Sequence, residues 1–270
     1  MSVSIIVRLT IMLLAVIVVV GCGKKKEEDQ VEYTTSDGKK TSDVRTIKDG
    51  RAEYQVTGGQ SIPLRAQQLH QEARAKGASG DYKAAITLLK QATEIAPKWP
   101  YPYYDMAFTY LLQGDNTNAL LKYQEVDRME PKGFFTAKTA VWTLEREDRK
   151  VFPTGTYLTF LSLEWVDSAK KRDLIERLTT DVPAFAPAWK EKALLEQSAD
   201  ERLAFLDKAL SLDPDPETYG ICMLNKAALL YKSGKITEAT QMARDLSTNS
   251  SSTQGTKTMA EEFLKTLKKE

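Results

Sequence analysis

Residues 64–97 read LRAQQLHQEARAKGASGDYKAAITLLKQATEIAP, and residues 98–131 read KWPYPYYDMAFTYLLQGDNTNALLKYQEVDRMEP. Laid over one another, Leu69, Ala73, Gly80, Ala85, Ala92 and Pro97 fall on Tyr103, Ala107, Gly114, Ala119, Val126 and Pro131, a shift of 34 residues each time. Every one of these offsets has a physical use. Ala73 and Ala107 are small where the first helix of a pair crosses its partner closely, and Ala85 and Ala119 let the second helix press on the first. Gly80 and Gly114 supply the turn between them, with Asp81 and Asp115 placed to cap the second helix. Pro97 and Pro131 end that helix, because proline lacks the amide a further turn would need. The stretch predicts two consecutive helical hairpins.

A fixed 34-residue period with small residues at these offsets resembles the tetratricopeptide repeat (TPR). The resemblance implies an all-α fold, a TPR-like right-handed solenoid of helix hairpins spanning 65–251. Ala227, Leu230, Gly234 and Ala239 repeat the design late in the chain. Another partial unit ends at Asp207-Lys208-Ala209-Leu210-Ser211-Leu212-Asp213-Pro214, after a short first helix near 186–196. Between 134 and 183 the period is lost, although helices are expected at 135–147, 157–165 and 169–180, with their pairing left open. Met259, Phe263 and Leu267 are spaced by four, Ala260 and Leu264 widen the stripe, and Thr258 and Glu261 have capping-box spacing. A capping helix over 252–270 is expected, as a solenoid must cover its last apolar face.

The amino-terminal quarter is different. Arg8, an apolar run from Leu9 to Val20, then Gly21-Cys22 and Gly23-Lys24-Lys25-Lys26 follow in order. The run is about a dozen residues, against the ~20 needed to span a bilayer. A charged start, a short apolar run and a small residue before the cut suit an export signal. Together with the cysteine they resemble a bacterial lipoprotein, with Val19 standing where leucine is commoner. The resemblance implies a signal peptide at 1–21 and lipidation of Cys22. Two acyl chains or more would then hold the protein on a membrane stably. Gly23 is not the aspartate that retains enteric lipoproteins at the inner membrane, which leans toward the outer membrane.

Residues 22–64 are polar, and eight acidic and eight basic side chains cancel between 24 and 64. A tether is the default reading, because so little apolar surface cannot offset the entropy of ordering. A small β-hairpin stands beside it as the alternative. Val31-Glu32-Tyr33-Thr34 and Ala52-Glu53-Tyr54-Gln55-Val56 alternate as strands do, and Ser36-Asp37-Gly38-Lys39 and Lys48-Asp49-Gly50-Arg51 are turn signals.

Whole-chain composition narrows the functions. The formal net charge is +1, which lacks the basic surplus of a nucleic-acid binder. Cys222, the second of two cysteines, lies in an apolar helical pattern and reads as a buried thiol. The sequence shows no His/Cys cluster for a metal, no phosphate-cradling loop and no nucleophile-base motif around the single histidine, His70. Ser36-Asp37-Gly38-Lys39 and Ser168-Ala169-Lys170-Lys171 fit a serine-x-x-lysine pattern without its companion motifs. No cofactor, metal or catalytic residue is expected.

A surface is the better candidate. In the repeat family the first helix of each hairpin lines a groove, and its groove offsets fall here on Tyr101, Tyr104, Phe108 and Leu111, and before them on Gln67, His70, Arg74 and Gly77. Aromatic side chains at such places are what a peptide can anchor on. The lysine-and-asparagine clamp for acidic peptide ends is not matched, since Tyr104 and Phe108 replace the polar residues. The resemblance thus implies a lipid-anchored, non-catalytic scaffold or assembly factor facing the periplasm, with an envelope protein or peptide segment in its groove. The runner-up is an enzyme or enzyme subunit with a site in 134–183, using Phe160, Glu164, Trp165 and Asp167.

Overall fold

The computed structural model describes residues 62–267 and, as backbone, residues 30–35, 40–41 and 52–57. Cys22, the 1–21 segment and the turns at 36–39 and 48–51 lie outside the described residues. The chain divides into two units, Met1–Ile62 and Pro63–Glu270. In the first, β1 (Gln30–Thr35) pairs antiparallel with β2 (Lys40–Thr41) on one side and β3 (Ala52–Thr57) on the other. The register sets Tyr33 opposite Thr41 and Tyr54. Both alternating segments are thus strands of one small sheet.

The second unit is all-α, with twelve helices among the described residues. Its first hairpin is α1 (Leu64–Ala78) and α2 (Tyr82–Ile95), and its second is α3 (Pro100–Leu112) and α4 (Asn116–Met129). The turns are copies of each other. Gly80 and Gly114 have φ of 83° and 77°, a region open to glycine without a Cβ clash. The Asp81 and Asp115 amides donate back to Lys76 and Tyr110, each at 2.9 Å. Their carboxylates then accept from the Ala84 and Asn118 amides at 3.2 and 3.1 Å, starting α2 and α4. The alanines at 73, 85, 92, 107 and 119 are fully buried where helices cross. A third copy of the turn, at Gly234 (φ 82°), joins α10 (Pro216–Lys232) to α11 (Ile236–Thr248). There Lys235 holds the capping position, and α11 begins without a side-chain cap.

The aperiodic middle holds α5 (Ala137–Asp148), α6 (Thr156–Ser162) and α7 (Ser168–Asp181). It packs in sequence order, α4 on α5, α5 on α6, α6 on α7. The seven-residue α6 starts on a buried carboxylate: Glu147 accepts from the amides of Gly155 and Tyr157 at 2.8 and 2.7 Å and from Asn116 Nδ2 at 2.9 Å. The next hairpin is α8 (Ala186–Leu195) with α9 (Ala199–Leu210). Trp189 Nε1 donates to the Pro183 carbonyl at 2.9 Å, as the Tyr103 hydroxyl does to Pro97 at 3.2 Å. The same joint recurs, but at an interval that is not a multiple of 34.

The last helix, α12 (Gln254–Leu267), packs on α10 and α11. Its cap differs from the expected Thr258–Glu261 box: the Thr253 hydroxyl accepts from the Thr256 amide at 3.2 Å, one turn earlier. That start turns Thr256 and Ala260 to the core and leaves Met259 exposed. Met259 is therefore outside the stripe assigned to it.

The later helices also return to α5. Gln254 N donates to the Lys132 carbonyl at 2.7 Å, and Lys132 Nζ to the Ser250 carbonyl at 2.6 Å. Trp142 Nε1 reaches the Asp213 carbonyl at 3.2 Å. Within this unit α10 packs back against α5.

Candidate partner-binding face

One face of α3 carries Tyr101, Asp105 and Phe108, spaced as neighbours along a helix. His70 and Arg74, four apart on α1, look toward it. His70 Nε2 lies 2.8 Å from Asp105 Oδ2, and Arg74 Nε lies 3.8 Å from the same oxygen. The His70 ring meets Trp99 edge-on at 4.9 Å and Tyr101 at 6.3 Å. His70 is only 9 % exposed, so the open groove histidine expected from the repeat is in fact a covered, paired one. Arg74 keeps more than half of its side chain in solvent.

Two linkers add aromatic rings to this face. Phe134 and Phe135, between α4 and α5, meet the Tyr101 ring edge-on at 4.9 and 5.6 Å. Trp165, between α6 and α7, meets Phe108 at 5.2 Å. Phe135 is 51 % exposed and Trp165 46 %. Tyr101 and Phe108, against which they rest, stand about two turns apart, roughly 10 Å along α3. Phe135 has a φ of 47°, a left-handed backbone that a bulky residue adopts at a cost of about 1–3 kcal/mol. The surrounding rings hold it there.

Two residues expected on this face are placed behind it. Leu111 is 1 % exposed and belongs to the core shared by α3, α4 and α5, on the side of α3 turned away from solvent. Tyr104 is half-buried. Its hydroxyl is inside, 2.8 Å from Thr136 Oγ1, which in turn lies 3.0 Å from the Tyr157 hydroxyl. Burial pushes the Tyr104 hydroxyl up to about 12. Asp105 was not singled out from sequence. The period could have found it, since it follows by one residue the position equivalent to His70. The two rings contributed by linkers had no such signal.

The four residues of the runner-up site do not converge. Phe160 packs against Phe185 at 5.5 Å in the core, and Trp165 belongs to the α3 face. The Asp167 carboxylate accepts from the Ala169 and Lys170 amides at 3.0 Å, capping α7. Glu164 is exposed, 3.9 Å from Lys171. Among the described residues no group of His, Cys, Asp and Glu is arranged to hold a metal ion.

The hairpins with their glycine turns and aspartate caps define a helical-repeat protein. Residues 74–114 match the TPR repeat family model. Among curated protein sequences no significant relative is found. Among solved structures, MamA 41-end from Desulfovibrio magneticus RS-1 is similar at 17% identity, covering 68% of this chain and 98% of that one with a TM-score of 0.34. A thermophilic TPR protein of Thermus thermophilus is similar at 19% identity, over 74% of this chain and 98% of that one, with a TM-score of 0.31. The TPR2AB-domain:pHSP90 complex of yeast Sti1 is similar at 16% identity, over 74% and 84% of the two chains, with a TM-score of 0.32.

Proposed function

We propose that this protein is a non-catalytic interaction scaffold that binds a segment of another protein on the α3 face. The observation that carries the reading is the pair of half-exposed rings, Phe135 and Trp165, seated beside Tyr101 and Phe108. A soluble surface seldom presents such rings together unless something covers them. Asp105 and Arg74 lie between the aromatic ends and supply polar contacts that set register. Tyr104, His70 and Leu111 act from beneath, by fixing the shape of the face.

Attachment belongs to the same reading. Among the described residues no helix is long and apolar enough to cross a membrane. A lipid on Cys22 would hold the repeats at the bacterial envelope, periplasm-facing and on the outer membrane in preference to the inner. The 1–21 segment would be a signal peptide, 22–64 a tether carrying the small sheet, 65–251 the TPR-like domain and 252–270 its cap. Holding a scaffold at a membrane raises its effective concentration toward partners there.

Photo-crosslinkers placed at Phe135 and Trp165 in the native envelope test the binding face. A discrete crosslinked protein, lost when Phe108→Ala is added to the crosslinker-bearing protein, supports it, and crosslinks no different from those at exposed Lys150 overturn it. Cys22→Ala should release the protein from the membrane fraction, and retention there would overturn the lipid anchor.

A further inference from the structure

Thr139, on the first turn of α5, makes one hydroxyl serve two carboxyl groups from the first turn of α10. Its Oγ1 lies 2.8 Å from Asp215 Oδ1 and 2.8 Å from Glu217 Oε2. A threonine hydroxyl owns one proton, so it can satisfy one of these contacts as a donor. The other needs a proton from the opposite side. Asp215 Oδ1 already accepts from the Glu217 and Thr218 amides at 3.0 and 3.1 Å, as the N-cap of α10, so that oxygen has no room for a proton of its own. One of the two carboxyl groups must then hold a proton, and burial beside the Asp215 carboxyl favours Glu217 as its owner; protonated, Glu217 donates to Thr139, which donates to Asp215.

The surroundings agree. Burial first, and the Asp215 charge second, push Glu217 up to about 8. The Glu217 oxygens also accept from the Lys138 and Thr139 amides at 3.3 and 3.1 Å, two otherwise orphaned donors at the start of α5. Among the described residues no nearby cation is free to neutralise an ionised Glu217. On α5, Lys138 Nζ is 2.6 Å from Asp127, and Arg146, which acts on Asp215, stacks on Trp142 and faces Asp213. On α8, Lys190 acts on Asp215 but is bound to Glu191 at 2.5 Å. From α3 and α6 the hydroxyls of Tyr104 and Tyr157 face Glu217. The neutral Thr253 of the α11–α12 linker and Glu217 Oε1 both lie close to Gly133, and Lys132 is turned to Ser250.

We propose that Glu217 is a proton-dependent latch: protonated, it closes the α10–α12 end of the molecule on α5, and ionised, it releases that end. The sign follows from linkage. An open form, with Glu217 in water, titrates near the ordinary 4.5, while the closed form holds its proton to about 8. Closure is therefore at full strength below 4.5 and weakens as pH rises, with the change complete above 8. Within that window its equilibrium constant falls about tenfold per pH unit. The other bonds across this seam, from Trp142 to Asp213 and from Lys132 and Gln254, involve no carboxylic acid proton and set the baseline.

Nitroxide labels at Arg128→Cys on α4 and Thr248→Cys on α11, two positions either side of the seam, report its width by pulsed electron resonance. The full chain is used with Cys22→Ser, and the buried Cys222 stays unlabelled. The expected result is one short distance at pH 6 and a longer population growing toward pH 9. In Glu217→Gln, neutral at every pH, the distribution should not change between pH 6 and 9, whatever its value. A carbon-13 titration of the Glu217 carboxyl gives a second reading, with a midpoint near 8 expected. A wild-type distance constant from pH 6 to 9, a pH response undiminished in Glu217→Gln, or a midpoint near 4.5 would each overturn the latch.

Discussion

The Glu147 carboxylate and the Tyr157 amide stand 2.7 Å apart, and this contact is where the aperiodic middle of the chain is anchored. Glu147 is 2 % exposed and ends α5, while Tyr157 opens α6 and is fully buried. One side chain thereby supplies the start that a regular turn gives α2 and α4. Glu147→Ala should leave the Gly155 and Tyr157 amides unpaired and cost about 2–4 kcal/mol. Glu147→Gln should cost less, since its carbonyl still accepts. Urea unfolding of the three proteins checks the order, and equal stability of Ala and wild type would remove the anchor.

Gly220 permits the closest approach of α10 and α12. A Cβ there would sit 2.0 Å from Thr256 Oγ1 and 2.9 Å from its Cβ. An alanine in an unencumbered helix gains about 1 kcal/mol over glycine. Here Gly220→Ala should instead lose about 1–3 kcal/mol by overpacking. Adding Thr256→Ala should recover part of it. A melting temperature raised by Gly220→Ala would mean that the two helices separate freely.

At Phe135 the usual order of substitutions should invert. Alanine removes the ring but keeps a left-handed backbone with a φ of 47°, whereas glycine takes that backbone without strain. Phe135→Gly is expected to be more stable than Phe135→Ala by about 1 kcal/mol, despite the added freedom of its unfolded chain. Both should lose crosslinking to a partner on the α3 face. Chemical denaturation distinguishes them, and an alanine variant that is the more stable would show that the strain is relieved elsewhere.

Cys222 is fully buried, and burial pushes its thiol up to about 12. In a Cys22→Ala protein, a thiol reagent at pH 8 should label it only at the rate at which the α8–α10 core opens. Adding urea should speed labelling in step with unfolding of that core. Immediate stoichiometric labelling of native protein would show the site to be accessible.

How far the sequence could be read depends on the range of each interaction. The hairpin turns were legible because their requirements are local. A left-handed glycine, an aspartate one residue on and a proline at the helix end act within a few positions, and the 34-residue period repeats them. The strands at 30–35 and 52–57 were legible only as an alternative, since alternation in a polar segment competes with disorder. The start of α12 was misread because Thr258–Glu261 has the right spacing, but Thr253 lies where α12 can also seat Thr256 against Gly220.

Sequence by itself determined an all-helical repeat, its turns and the aromatic character of α3. It could not determine which of those rings would be exposed. Phe135 and Trp165 come onto the α3 face from two linkers outside the repeat, and the tertiary path of those linkers decides it. The pairing of His70 with Asp105, and of Glu217 with the start of α5 some eighty residues earlier, is decided in the same way. A buried carboxyl has no mark in the sequence, because its proton, its partners and its burial exist only once distant helix ends meet.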